Sequence, residues 1–171
     1  MRLKQPTWPR ALPSGLIVAI ATLGPLGMRL PAPGTWGSLA GLVYFSACFT
    51  HLGPLSYLLL CALGLYLAVA FCGEAESRMR RRDPGEVILD EVVAMPLCFL
   101  DWHALTPVMQ PWVALLTGFA LFRFFDILKP LGIKRLQSLP DGWGVVVDDV
   151  AAALAACGCL HLIAWYLRSR Y

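Results

Sequence analysis

From Leu52 to Gly73 the chain reads LGPLSYLLLCALGLYLAVAFCG, with no Asp, Glu, Lys, Arg or His. An α-helix needs about 20 such residues to cross the hydrocarbon core of a bilayer. A chain of 171 residues can house that run only in lipid, against a partner or inside an unusually large core. Composition favours lipid, with 58% hydrophobic residues, 15% charged and a mean hydropathy of +0.64. Soluble domains run at about 45–50% apolar and about 25% charged. The same numbers exclude disorder, collagen and coiled coil. A net charge of +3, with basic residues not interleaved with aromatics, argues against a nucleic-acid partner. One domain over residues 1–171 is expected at this length, an all-α polytopic membrane bundle.

The six cysteines, Cys48, Cys61, Cys72, Cys98, Cys157 and Cys159, lie in or beside apolar runs. Cys157 and Cys159 form C-G-C rather than C-x-x-C, and no His stands at ligand spacing. They read as small buried hydrophobes.

Met1–Ser14 is a polar N-terminal segment with Arg2, Lys4 and Arg10 among prolines. The run GLIVAIATLGPLG after it could pass for a signal-peptide core, but no A-x-A-like site follows and Gly24, Pro25 and Gly27 break it. A short helix lying in or dipping into the membrane is expected there. About four membrane helices follow, some short: Ser38–Phe49, Leu52–Gly73, Val108–Leu128 and Val150–Leu167. Val92–Leu100 reads as a half-span leading to the turn DWHALTP. Threading these in order puts Arg29, Arg78, Arg80, Arg81, Arg82, Lys129, Lys134 and Arg135 on one side. The loops around His51 and His103 carry no Lys or Arg, so the shared side is expected to be cytoplasmic. Only Arg168 and Arg170 oppose this.

Acids at the edges of apolar runs are costly and point to paired charges or a functional site. Asp90 and Glu91 are consecutive, Asp126 stands three residues after Arg123 with Lys129 close behind, and Asp148 and Asp149 are consecutive. All fall on the shared side. Simpler roles exist for each: Asp148 as N-cap of the last helix with Asp149 at its positive end, Asp90–Glu91 charging a helix start, and Arg123–Asp126 as an i,i+3 pair. Glu74, Glu76 and Glu86 read as solvated, and Arg78–Arg82 as a topology signal meeting anionic headgroups. His51, His103 and His161 are poorly placed for a catalytic base.

The segment PAPGTWGS is expected as a tight turn directly before a helix. Gly34, Thr35, Gly37 and Ser38 would offer backbone N–H groups and two hydroxyls, the usual means of holding an anion. A second turn, DGWGVVVDD, leads into Asp148 and Asp149. Oxygen ligands beside an anion seat describe hard-metal chemistry, with Mg²⁺ the natural ion.

The segments PGTWGS, LDEVVAM, FRFFDILKPLGIKR and DGWGVVVDDVAA resemble, in order, the motifs of the phosphatidylglycerophosphatase A family, from about Pro33 to Ala153. Ala94 and Ala153 stand where that pattern has Gly, Gly132 where it has Pro, and Asp141-Gly142-Trp143-Gly144 where it often reads G-G-x-G. None of these replaces an acid or base, although Asp141 adds a ligand or a repulsion beside the expected metal site. The resemblance implies a Mg²⁺-dependent phosphatase of the bacterial inner membrane that converts phosphatidylglycerophosphate to phosphatidylglycerol on the cytoplasmic face. It implies Asp90, Glu91, Asp126, Asp148 and Asp149 as ligands of one or two Mg²⁺, which would polarise the phosphate and acidify a water. Glu91 or Asp149 is then the base, Arg123 and Lys129 neutralise phosphoryl oxygens, and Gly34, Thr35, Gly37 and Ser38 position the phosphate. Direct attack by a carboxylate is the second route.

The motifs K-x₆-R-P, P-S-G-H, S-R-x₅-H-x₃-D and D-x₂-D-G-x₂-A-R of other phospholipid enzymes are absent. The non-enzymatic alternative is a small transporter or assembly subunit whose acids line an ion path. Depth separates the two, since a transporter holds its acids near the midplane.

Overall fold

The computed structural model describes residues 4–130, 132–140 and 142–170; Asp141, weighed above as an added ligand, lies outside them. Every regular element among the described residues is helical. The broken first run forms α1 (Ser14–Ala21) and α2 (Pro25–Arg29), parted by a turn in which Leu23 and Gly24 take φ of 49° and 61°. There follow α3 (Pro33–Cys48), α4 (Pro54–Met79), α5 (Leu89–Ala94), α6 (Trp102–Leu105), α7 (Pro111–Leu128) and α8 (Gly142–Arg168). Proline opens α2, α3, α4 and α7, where its missing N–H costs nothing and its fixed φ suits the first turn.

Among the described residues three helices are long and apolar enough to cross a membrane: α4 with 26 residues, α7 with 18 and α8 with 27. Even α7 rises about 27 Å at 1.5 Å per residue. The fourth expected helix, α3, has 16 residues and packs by one face against α5 and α7, leaving Val43 and Trp36 exposed on the other. Leu55, Leu59, Leu116, Ile127, Leu162 and Trp165 are exposed, the outward apolar surface that lipid requires.

The expected half-span is α5 running into a 3₁₀ turn at Met95–Phe99. Met95, Cys98 and Phe99 are wholly buried, and the Tyr57 hydroxyl donates to the Pro96 carbonyl at 2.6 Å. Irregular backbone is tolerated at membrane depth only when protein surrounds it in this way.

Several boundaries differ from the sequence reading. PGTWGS is not a loop before α3 but its first turns, because Pro33 starts the helix and glycines do not stop it. Likewise α8 begins at Gly142, so Asp148 and Asp149 lie in its second turn and Asp148 is no N-cap. The reason is packing. A Cβ on Gly73 would come 2.6 Å from the Gly142 backbone nitrogen, so α4 and α8 cross backbone to backbone there. That contact holds α8 helical two turns before its apolar stretch. Helix α4 also runs past Gly73 and carries Glu74 inward. Glu74 is 4% exposed rather than solvated, bound by Arg78 at 2.8 Å and Arg10 at 3.7 Å. Arg78 further donates to Ser14 Oγ at 2.8 Å, fastening the N-terminal segment to α4.

The two ends of the bundle are distinct. Phe49, Leu52, Tyr57, Trp102 and His103 line one cavity, and Arg168 donates to the Ala104 carbonyl at 3.2 Å. Those loops and the end of α8 therefore share one end. At the other, Arg82 donates to the Gln137 carbonyl and Gln137 Nε2 to Asp83 at 3.0 Å, joining the α4–α5 and α7–α8 connections.

Candidate active site

The expected acids come from three helices and meet at the second of these ends. Asp90 and Glu91 occupy the first turn of α5, Asp126 the last turn of α7, and Asp148 and Asp149 the second turn of α8. Asp90, Asp148 and Asp149 are buried, and the Glu91 side chain is 12% exposed. Two cations run between them. Arg123 Nη1 binds Asp126 Oδ2 at 2.6 Å, Glu91 Oε1 at 3.2 Å and the Ser38 hydroxyl oxygen at 3.3 Å. Lys129 Nζ binds Asp148 Oδ2 directly and lies 3.8 Å from Asp126 Oδ1. The i,i+3 pair expected of Arg123 and Asp126 is thus present, within a wider chain of charges.

Helix α3 supplies the floor. A Cβ on Gly34 would strike the Glu91 carboxylate and come within 3.0 Å of Arg123 Nη1, and one on Gly37 would meet Glu91 again and lie 2.9 Å from Ile88 Cβ. These glycines let Glu91 and Arg123 lie against bare helix backbone. Ser38 donates its hydroxyl proton to the Gly34 carbonyl at 2.8 Å and accepts from Arg123, so it orients that guanidinium. Thr35 lies in the same first turn.

The electrostatics are strained toward negative charge. Five carboxylates against Arg123 and Lys129 leave an excess of three if all are ionised. Burial first, then the like charge of Asp126, pushes Glu91 up to about 8 despite Arg123. Burial, then the neighbouring Glu91 charge, holds Asp90 well above the usual carboxylate range. Burial pulls Lys129 down, but its hydrogen bond to Asp148 and the surrounding acids outweigh this and raise it. Asp83 adds to the like charge felt by Asp90 and Glu91. It was missed as a site neighbour, although its Asp-Pro-Gly turn between α4 and α5 is the signal that could have placed it.

Glu91 Oε2 and Asp148 Oδ1 are buried with no hydrogen-bond partner. Unpartnered carboxylate oxygens, an all-oxygen donor set and surplus negative charge suit a hard divalent cation. Among the described residues no three acids already stand close enough to ligate one ion, because Arg123 and Lys129 lie between them.

Residues 19–164 match the family model described as Phosphatidylglycerophosphatase A. The chain belongs to that family. Every residue of the candidate site, from Gly34 to Asp149, falls within the matched span. Membership makes the chain a phosphoric monoester hydrolase. It is 37% identical over 142 residues to Phosphatidylglycerophosphatase A of Haemophilus influenzae, covering 82% of this chain and 84% of the relative. It is 31% identical over 143 residues to Phosphatidylglycerophosphatase A of Escherichia coli, covering 80% and 77%. A Bacteroides thetaiotaomicron protein provisionally named a phosphatidylinositol-3-phosphatase is 32% identical over 160 residues, covering 91% and 98%. No solved structure matches the chain.

Proposed function

We propose that this member of the phosphatidylglycerophosphatase A family hydrolyses the terminal phosphomonoester of phosphatidylglycerophosphate, with Mg²⁺, on the cytoplasmic face of a bacterial inner membrane. The observation that carries the reading is the meeting of Asp90, Glu91, Asp126, Asp148 and Asp149, from three helices, at one end of an apolar bundle. A transporter would hold such acids midway along its helices.

These five carboxylates are the groups that would hold Mg²⁺. When bound, the metal supplies positive charge to the phosphoryl oxygens and makes a neighbouring water more acidic. Glu91 or Asp149 takes the proton of the attacking water, and the raised affinity of Glu91 for protons suits it to that task. Arg123 on α7 and Lys129 just beyond its end, which flank Asp126, move from carboxylate to phosphoryl oxygen as substrate enters, and offset the charge that grows in the transition state. Thr35 and the backbone of Gly34 and Gly37 line the phosphate's seat, and Ser38 aims Arg123. The diacylglycerol portion stays among lipid outside α4, α7 and α8. Positive-inside asymmetry supports the cytoplasmic orientation, since Lys and Arg crowd the acid-bearing end.

The test is product analysis. Purified chain in detergent with phosphatidylglycerophosphate and Mg²⁺ should yield phosphatidylglycerol and inorganic phosphate in equal amounts. An intact lipid after prolonged incubation would overturn the reading.

A further inference from the structure

Between α2, the start of α3 and the α4–α5 connection lies an open surface cavity that the chemistry above does not use. It has a volume of about 570 Å³, and its lining includes Met28, Arg29, Leu30, Pro33, Arg81 and Glu86. One wall is charged and the other apolar. Arg29 forms no hydrogen bond or ion pair among the described residues. Arg81 binds Glu86 Oε1 at 2.8 Å, while Glu86 Oε2 is buried with no partner. The wall is firm, because Gly27 packs against the Glu86 carbonyl with no space for a Cβ and Ile88 N donates to the Ala21 carbonyl at 3.0 Å. It also adjoins the acid cluster. Pro33 precedes Gly34, which touches Glu91, and Ile88 abuts Gly37.

We infer that this cavity is the seat of the substrate's inner, phosphodiester phosphate, so that the chain selects lipids carrying a phosphodiester between the acyl chains and the scissile monoester. The inference rests on the lipid phosphatase reading. Arg29 and Arg81 less Glu86 leave one positive charge, which complements the single negative charge of a phosphodiester. Arg29 is the free cation that meets it. Met28 and Leu30 face the glyceryl and acyl portion. Phosphatidic acid, whose only phosphate is the monoester, leaves this seat empty.

The experiment uses dioctanoyl phosphatidylglycerophosphate and dioctanoyl phosphatidic acid with the full chain in detergent, wild type against Arg29→Gln and Arg29→Lys. Arg81 is left alone because it holds Glu86. For phosphatidylglycerophosphate, Arg29→Gln should raise KM about ten-fold with kcat within about two-fold, as expected of a lost charged contact made equally in ground and transition states. Arg29→Lys should recover most of the loss. Binding of both lipids is measured in parallel in EDTA, without turnover. There Arg29→Gln should weaken phosphatidylglycerophosphate about ten-fold more than phosphatidic acid. Equal weakening of both, or a fall in kcat at unchanged KM, would overturn the inference. If wild type hydrolyses neither lipid, the phosphatase reading fails, and the binding ratio still decides whether the cavity reads the diester.

Discussion

The backbone of Gly34 and the carboxylate of Glu91 lie in direct contact, leaving no space for a methyl group on α3. What such a methyl would meet is the tip of Glu91 and Arg123 Nη1 at 3.0 Å, flexible side-chain ends rather than backbone. Gly34→Ala should therefore leave the thermal midpoint nearly unchanged while lowering kcat at least ten-fold, because the base and its guanidinium are displaced together. Gly73→Ala should do the reverse. Its methyl meets the backbone of Gly142, 2.6 Å from N and 2.8 Å from Cα, so α4 and α8 must separate, at a cost of about 1–3 kcal/mol. Thermal unfolding and phosphate release on the two variants check this pair.

Lys129 and Asp148 form a second decisive contact, with Asp148 2% exposed. In EDTA, Lys129→Met should cost about 3 kcal/mol, the low end for stranding a buried charge. Adding Asp148→Asn to that variant should restore much of the stability and none of the activity. A Lys129→Met variant as stable as wild type in EDTA would show the pair to be incidental.

Without metal the site should make the protein sensitive to alkali. Glu91 takes up its proton more readily folded, at about 8, than its ordinary 4.5. The folded chain then binds more protons than the unfolded one across that interval, so stability falls as pH rises from about 5 to 8. Asp90 acts in the same direction. Denaturation midpoints in EDTA should decline over that window, and Mg²⁺ should flatten the slope by offsetting the carboxylate charge.

Much of this was legible in the chain. Three acid clusters, the Arg123–Asp126 spacing and the Lys/Arg asymmetry placed the charged end, and Gly24 and Pro25 marked the break between α1 and α2. What misled was glycine. In PGTWGS and DGWG it reads locally as a turn residue, whereas Gly34, Gly37 and Gly142 sit inside helices because another helix or a carboxylate presses on their backbone. Such close approach depends on partners distant in sequence, so no local pattern announces it. Glu74 was misread because α4 continues past Gly73 and turns it inward; its nearer partner Arg78 stands only four residues on, and only Arg10 lies far away along the chain.

Orientation has its own test. In a cysteine-free background, His103→Cys should react with an impermeant maleimide added to intact cells, and Arg80→Cys only after lysis. The opposite pattern would put the acids on the outer face.

The most direct measurement is phosphate release from phosphatidylglycerophosphate against free Mg²⁺, for wild type and for Asp90→Asn, Asp126→Asn, Asp148→Asn and Asp149→Asn. Saturable dependence on Mg²⁺, with a loss of at least about 100-fold in each variant, is the expected result, comparable to removing an electrostatic group that acts on the transition state. Undiminished release in EDTA, or an Asp149→Asn variant as fast as wild type, would contradict a divalent cation held by these carboxylates.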